Sequence, residues 1–136
     1  MFSNDIKILV VDDMSMMRKL IKAQLRELGF ANITEAEDGG KALAIIQEMA
    51  NLKTPIQLIL SDWTMPILSG IELLSKVKAH EDFKKIPFIM ITAEGESHQV
   101  TEAIKLGVSS FIRKPFSPDS LKTKIEAVSQ AALKAG

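Results

Sequence analysis

At 136 residues, with 46% apolar and 25% charged side chains, the chain has the make-up of one globular domain able to bury a core unaided. Its 17 basic and 17 acidic residues cancel to zero formal charge, which excludes the basic footprint of a nucleic-acid binder and the polybasic patch of a membrane-surface protein. The absence of cysteine excludes a disulfide framework and a thiolate metal centre. No apolar run nears the roughly 18 residues needed to span a bilayer. The opening MFSNDIKILVVDD lacks the build of a signal peptide, so a soluble, cytoplasmic domain is expected, and a monomer is taken as its state.

Short apolar runs alternate with longer amphipathic ones. Ile6 to Val11 reads as a strand that stops at Asp12 and Asp13, and its unbroken apolar character suits a sheet covered on both faces. Ser15 is a candidate cap for the first helix, whose stripe is Met17, Leu20, Ile21, Gln24, Leu25 and Leu28, with Gly29 placed to close it. A second strand spans Asn32 to Ala36, and Asp38 before Gly39 and Gly40 is a turn leading to a helix cap. Ala42, Ile45, Ile46 and Met49 form the second stripe. Pro55 precedes a third strand, Ile56 to Leu60, which again leads to a carboxylate, Asp62. Ile71, Leu74 and Val77 mark the third helix, and Phe88 to Ile91 the fourth strand, ending at Thr92 and Ala93. Val100, Ala103, Ile104 and Leu106 mark the fourth helix, with Gly107 after it. Ser109 to Ile112 reads as the fifth strand, and Ser117-Pro118 is a cap followed by a first-turn proline. Leu121, Ile125, Val128 and Ala132 carry the last helix.

Five strand–helix units with no linker between them predict an α/β fold, a doubly wound five-stranded parallel sheet with right-handed crossovers. Polar work in such a sheet sits at the carboxyl ends of the strands, which makes Asp12, Asp13, Asp62, Thr92 and Lys114 the suspects. Two like charges 4 Å apart repel by about 4 kcal/mol at an effective dielectric near 20, so clustered carboxylates hold protons between them or hold a cation. An all-oxygen cluster suits a hard ion such as Mg²⁺. An ammonium and a hydroxyl at the same point would complete a cradle for a phosphoryl group, with a carboxylate as the nucleophile.

Val10-Val11-Asp12-Asp13, Ser61-Asp62-Trp63-Thr64-Met65-Pro66, Ile91-Thr92-Ala93 and Lys114-Pro115-Phe116 resemble, in order and spacing, the receiver domain of two-component response regulators. The resemblance covers about residues 5 to 132. It implies the strand order 2-1-3-4-5, which is carried over from the family's type member, CheY, rather than read from these residues. It implies that Asp62 is the phosphoacceptor, and that Asp13, Asp62 and the backbone carbonyl of Thr64 hold Mg²⁺, with Asp12 acting mainly through water. It further implies that Thr92, helped by the amide of Ala93, and Lys114 bind phosphoryl oxygens. Phe111 then holds the aromatic switch position, where the chemotaxis type commonly has tyrosine, and moves when Thr92 is drawn inward. Thr64 and Glu94 flank the path of attacking water, and the Lys114-Pro115 bond is expected to be cis.

The Asp-Trp-x-Met-Pro stretch and a layout without an output domain look like CheY-type chemotaxis regulators. The implied partners are a CheA-like histidine kinase as phosphodonor, the flagellar motor switch protein and a phosphatase. Such a switch is not an enzyme in the usual sense. A stand-alone phosphorelay receiver is the alternative. A Mg²⁺-dependent aspartyl phosphatase usually has a second acid two residues after its nucleophile, where this chain has Thr64; a flavin module would want a Ser/Thr/Gly loop in place of Asp-Asp-Met-Ser-Met-Met. Read singly, Asp12 and Asp13 are a turn and cap, Phe111 is core, Trp63 is a half-buried rim residue and the helical methionines fill the core. His80 and His98 fall on surface segments and carry no assignment.

Overall fold

In a computed structural model, which describes residues 3–92 and 97–135, five strands alternate with five helices. The strands are β1 (Ile8–Val11), β2 (Ile33–Ala36), β3 (Leu58–Asp62), β4 (Phe88–Thr92) and β5 (Ser110–Arg113). The helices are α1 (Ser15–Glu27), α2 (Gly39–Asn51), α3 (Gly70–Ala79), α4 (Ser97–Lys105) and α5 (Pro118–Ala135). All neighbouring strands pair parallel, in the order β2-β1-β3-β4-β5. The order reverses direction beside β1, so the carboxyl ends of β1 and β3 flank the crevice that such a reversal leaves.

The sheet divides the apolar interior. Leu9, Val11, Ile59, Phe88 and Met90 face one way, against Ala42, Ile46, Leu73, Leu74, Val77 and Ala103 of α2, α3 and α4. Ile8, Val10, Leu58, Leu60, Ile89 and Ile91 face the other way, against Ile21 and Leu25 of α1 and Leu121, Ile125 and Val128 of α5. Burial on both faces is why the central strands are continuous apolar runs rather than alternating ones.

Local signals set most of the ends. The Asp38 carboxylate accepts the Lys41 N–H at 2.7 Å and caps α2. Ser69 and Glu72 form a reciprocal capping box at α3, and the Ser117 hydroxyl accepts the Ser120 N–H at 3.1 Å at α5. Gly29 (φ +100°) ends α1 with its N–H on the Arg26 carbonyl while the Phe30 N–H reaches Leu25, the paired bonds of a Schellman closure.

Several expectations need correction. Ser15 does not cap α1: Met14 holds the cap position without a side-chain bond, and its N–H goes to the Asp12 carboxylate at 2.9 Å. Leu20 (47% exposed) and Ile104 (59%) lie at the edges of their apolar stripes and face solvent, as does Met16 (74%), which is not core filler. Trp63 is buried rather than half-buried, because β3 runs on to Asp62 and the next residue turns into the α2/α3 side of the core. β3 and β5 begin later than the apolar runs suggested and extend to Asp62 and Arg113. The side chains of His98, Val100 and Ala132 lie outside what the structure describes.

Ile67, in the loop between β3 and α3, is 83% exposed and holds a left-handed φ of +67°. A β-branched residue pays about 1–2 kcal/mol for that conformation, and here no burial offsets it. Ile67→Asn is therefore expected to stabilise the fold by about 1 kcal/mol, read from urea denaturation midpoints; an unchanged or lower midpoint would contradict it.

Candidate functional site

Three strand ends supply the acids and the ammonium. β1 ends at Val11 and delivers Asp12 and Asp13; β3 ends on Asp62; β5 is followed by Lys114, whose N–H bonds the Thr92 carbonyl at 2.7 Å. Carboxylate oxygens of Asp12, Asp13 and Asp62 all lie within 4.8 Å of one another. The Lys114 ammonium donates to Asp62 Oδ1 at 3.0 Å and to Asp12 Oδ2 at 3.4 Å. Asp12 is fully buried, Asp62 is 9% exposed and Asp13 is exposed.

One ammonium among three carboxylates leaves the cluster short of positive charge. Burial pushes the Asp62 carboxyl above its ordinary range; the Lys114 contact opposes this without cancelling it, and the nearby Asp12 charge adds to it. The donors are all oxygen, with no imidazole or thiolate among them, and they fit a hard divalent cation.

Thr92, the last residue of β4, is 2% exposed, and its hydroxyl has no hydrogen-bond partner among the described residues. A buried orphan hydroxyl is costly until it finds a partner, so Thr92 has a hydrogen bond left to make at this end of β4. Strand alternation puts Thr92 on the sheet face of Phe88 and Met90, and Met90 pairs in register with Phe111. Phe111 is partly buried against that same core, and the Lys124 ammonium stands 5.6 Å from its ring centroid. The Lys114-Pro115 bond is cis, as expected. Thr64 is exposed in the loop after Asp62; Ala93 and Glu94 lie outside the described residues.

Arg18 and Glu35 are neighbours of the site that sequence reasoning missed. Arg18 donates to the Asp12 carbonyl at 2.7 Å and to the Glu35 carboxylate at 3.0 Å. One signal was available: Arg18 is in the first turn of α1, where the helix dipole disfavours a cation unless something fixes it there.

Residues 8–126 match the family described as the response regulator receiver domain, and the chain belongs to that family. It is 45% identical over 122 residues to the chemotaxis protein CheY1 of Helicobacter pylori strain J99, spanning 90% of this chain and 95% of that relative. Among solved structures it superposes on the chemotaxis protein CheY4 of Vibrio cholerae with a TM-score of 0.81 at 30% identity, covering 91% of this chain and 98% of the other. The receiver domain of the sensor histidine kinase PA1611 from Pseudomonas aeruginosa, solved with magnesium coordinated in its active-site cleft, superposes with a TM-score of 0.78 at 25% identity, over 92% and 98% of the two chains.

Proposed function

We infer that the chain is a phosphoacceptor switch in which Asp62 is phosphorylated by a histidine kinase and the product is read by a partner protein. The observation that carries this is the Asp62 carboxylate, nearly buried, paired with Lys114 and clustered with Asp12 and Asp13. Asp12, Asp13, Asp62 and the Thr64 carbonyl would hold Mg²⁺. When bound, that ion neutralises the acids and draws charge from phosphoryl oxygens. An Asp62 oxygen attacks phosphorus; the O–P bond forms as the N–P bond of the donor phosphohistidine breaks and its imidazole leaves. The Lys114 ammonium pairs with a phosphoryl oxygen, and the orphan Thr92 hydroxyl supplies a hydrogen bond to another. Thr92 moving inward would free space on the sheet face it shares with Phe111, whose ring then changes exposure and alters the surface of α4, β5 and α5.

The likeness to CheY-named proteins supports a role in chemotaxis, with a CheA-like kinase upstream, and the flagellar motor switch protein and a phosphatase as further partners, all in the cytoplasm. Alignment over 90% of this chain and 95% of such a relative supports one receiver unit. No helix among the described residues is long and apolar enough to cross a membrane.

Incubation with acetyl phosphate and MgCl₂, followed by peptide mapping, is expected to locate the phosphoryl group on Asp62, with no label when the divalent cation is chelated. Label on another residue, or label independent of the cation, would reject the assignment. Binding of motor switch protein that does not change on phosphorylation would remove the chemotaxis role alone.

A further inference from the structure

The three carboxylates of the site are not equally restrained. Asp12 is held from every side: Oδ1 accepts the Met14 N–H at 2.9 Å, Oδ2 faces Lys114 at 3.4 Å, and its own N–H bonds the Ala36 carbonyl at 3.1 Å. Asp62 is fixed by β3 and by Lys114 at 3.0 Å. Asp13 is exposed, and its carboxylate has no hydrogen-bond or ion-pair partner among the described residues. Apart from its own side-chain torsions, what places it is the backbone that carries it, of which the Asp12–Asp13 peptide plane is a part.

That plane is gripped by one side chain. Arg18 reaches back from the first turn of α1 and donates Nη1–H to the Asp12 carbonyl at 2.7 Å. Its Nε–H is spent on Glu35 Oε1 at 3.0 Å, and the other Glu35 oxygen takes the Lys22 ammonium at 2.9 Å. Glu35 in turn sits on β2 in register with Val10, two residues before Asp12. The guanidinium is a rigid planar fork, so holding one edge on the sheet fixes the other on the carbonyl. The Arg18 side chain is 16% exposed, whereas that of Glu35 is 34% exposed, so the guanidinium is the more sheltered partner of the pair.

We propose that Arg18, anchored by Glu35, is a positioning residue for the acidic site: it orients the Asp12–Asp13 peptide so that the Asp13 carboxylate converges with Asp62 on a divalent cation. This rests on the reading of the cluster as a cation site. The geometry and simple charge make opposite claims. Arg18 is a cation near the acids, so by Coulomb's law alone its removal would tighten cation binding. As a positioning residue, its removal loosens it, and partners of this outer kind typically govern affinity by about 10–100-fold.

The test is calorimetric titration of the full chain with MgCl₂, on wild type, Arg18→Met and Arg18→Lys, with thermal melting of each. Arg18→Met is expected to weaken Mg²⁺ binding about tenfold. Arg18→Lys keeps the charge but loses the fork, and is expected to weaken binding in the same direction. It also serves as the deciding variant if the methionine form fails to fold. Unchanged or tighter Mg²⁺ binding in the folded variants would overturn the proposal, as would a loss of melting temperature with affinity intact. Wild-type protein that binds no Mg²⁺ would instead overturn the reading of the site on which the proposal stands.

Discussion

Asp62→Asn should produce a protein that takes no label from acetyl phosphate and yet melts at a higher temperature than the wild type at neutral pH in the absence of divalent cations. The loss follows from chemistry: a neutral amide does not attack phosphorus, and Asp12 is fully buried, farther from Lys114 (3.4 Å against 3.0 Å) and committed to the Met14 N–H. The gain follows from burial. Desolvation raises the Asp62 pKa above its ordinary value of 3.8 in spite of Lys114. A raised acid pKa means that the folded state resists ionisation more than the unfolded chain does. The resulting cost is absent below the unfolded pKa, grows as pH rises through the interval up to the raised folded value, and is complete above it. Asparagine removes that cost, so the difference in melting temperature should be present at neutral pH and fade as pH falls through the same interval. Label appearing on Asp12 or Asp13, or a neutral-pH melting temperature below wild type, would count against this account of the site.

Gly70→Ala is expected to be the most damaging small substitution in the fold. Gly70 opens α3, and its N–H bonds the Trp63 carbonyl at 2.7 Å. A Cβ there would lie 2.1 Å from the Asp62 carbonyl oxygen and 3.0 Å from both Met90 Sδ and the Trp63 Cα. The first and last of these are main-chain atoms that cannot rotate away, so α3 or the end of β3 must move. Overpacking of this kind costs about 3 kcal/mol or more, a sizeable share of a stability that for such domains is about 5–15 kcal/mol. For a chain of this length that corresponds to a fall of roughly 10 °C in melting temperature. Because the clash is with the residue that carries the candidate nucleophile, labelling should fall along with stability. A melting temperature within about 2 °C of wild type would show that the helix start yields more easily than the distances imply.

The order of elements and the site were legible in the sequence for different reasons. Val10 and Leu60 lie in strands buried on both faces, and such strands announce themselves as unbroken apolar runs. Asp38, Gly29 and Ser117 are punctuation whose chemistry is local, so their roles survived into the structure. Leu20 and Ile104 misled because periodicity finds the middle of an apolar stripe better than its edge, and nothing in the spacing says which flank a neighbouring element covers. Trp63 misled because its burial depends on how far β3 runs, a matter of pairing with β4 rather than of local propensity. The strand order came with the family and not from the residues. Asp12, Asp13, Asp62 and Lys114 stood out together because acids and an amine at strand ends are hard to explain singly. Arg18 and Glu35 stayed hidden because a charged residue on an amphipathic helix, or on a strand whose pairing partner is unknown, reads as ordinary solvated surface.

The sheet's separation of two apolar halves bears on how such a protein can be altered. Thr92 and Phe111 belong to the half packed on α2, α3 and α4, whereas Ile21, Leu25 and Ile125 belong to the half packed on α1 and α5. An engineer seeking a sturdier variant can redesign the buried side chains of the second half, with the strands acting as a partition, provided that Lys124 of α5, which stands over the Phe111 ring, is kept. Drift during descent has the same latitude: one compartment can change its composition while the other keeps the clearances that the proposed coupling of Thr92 to Phe111 would need.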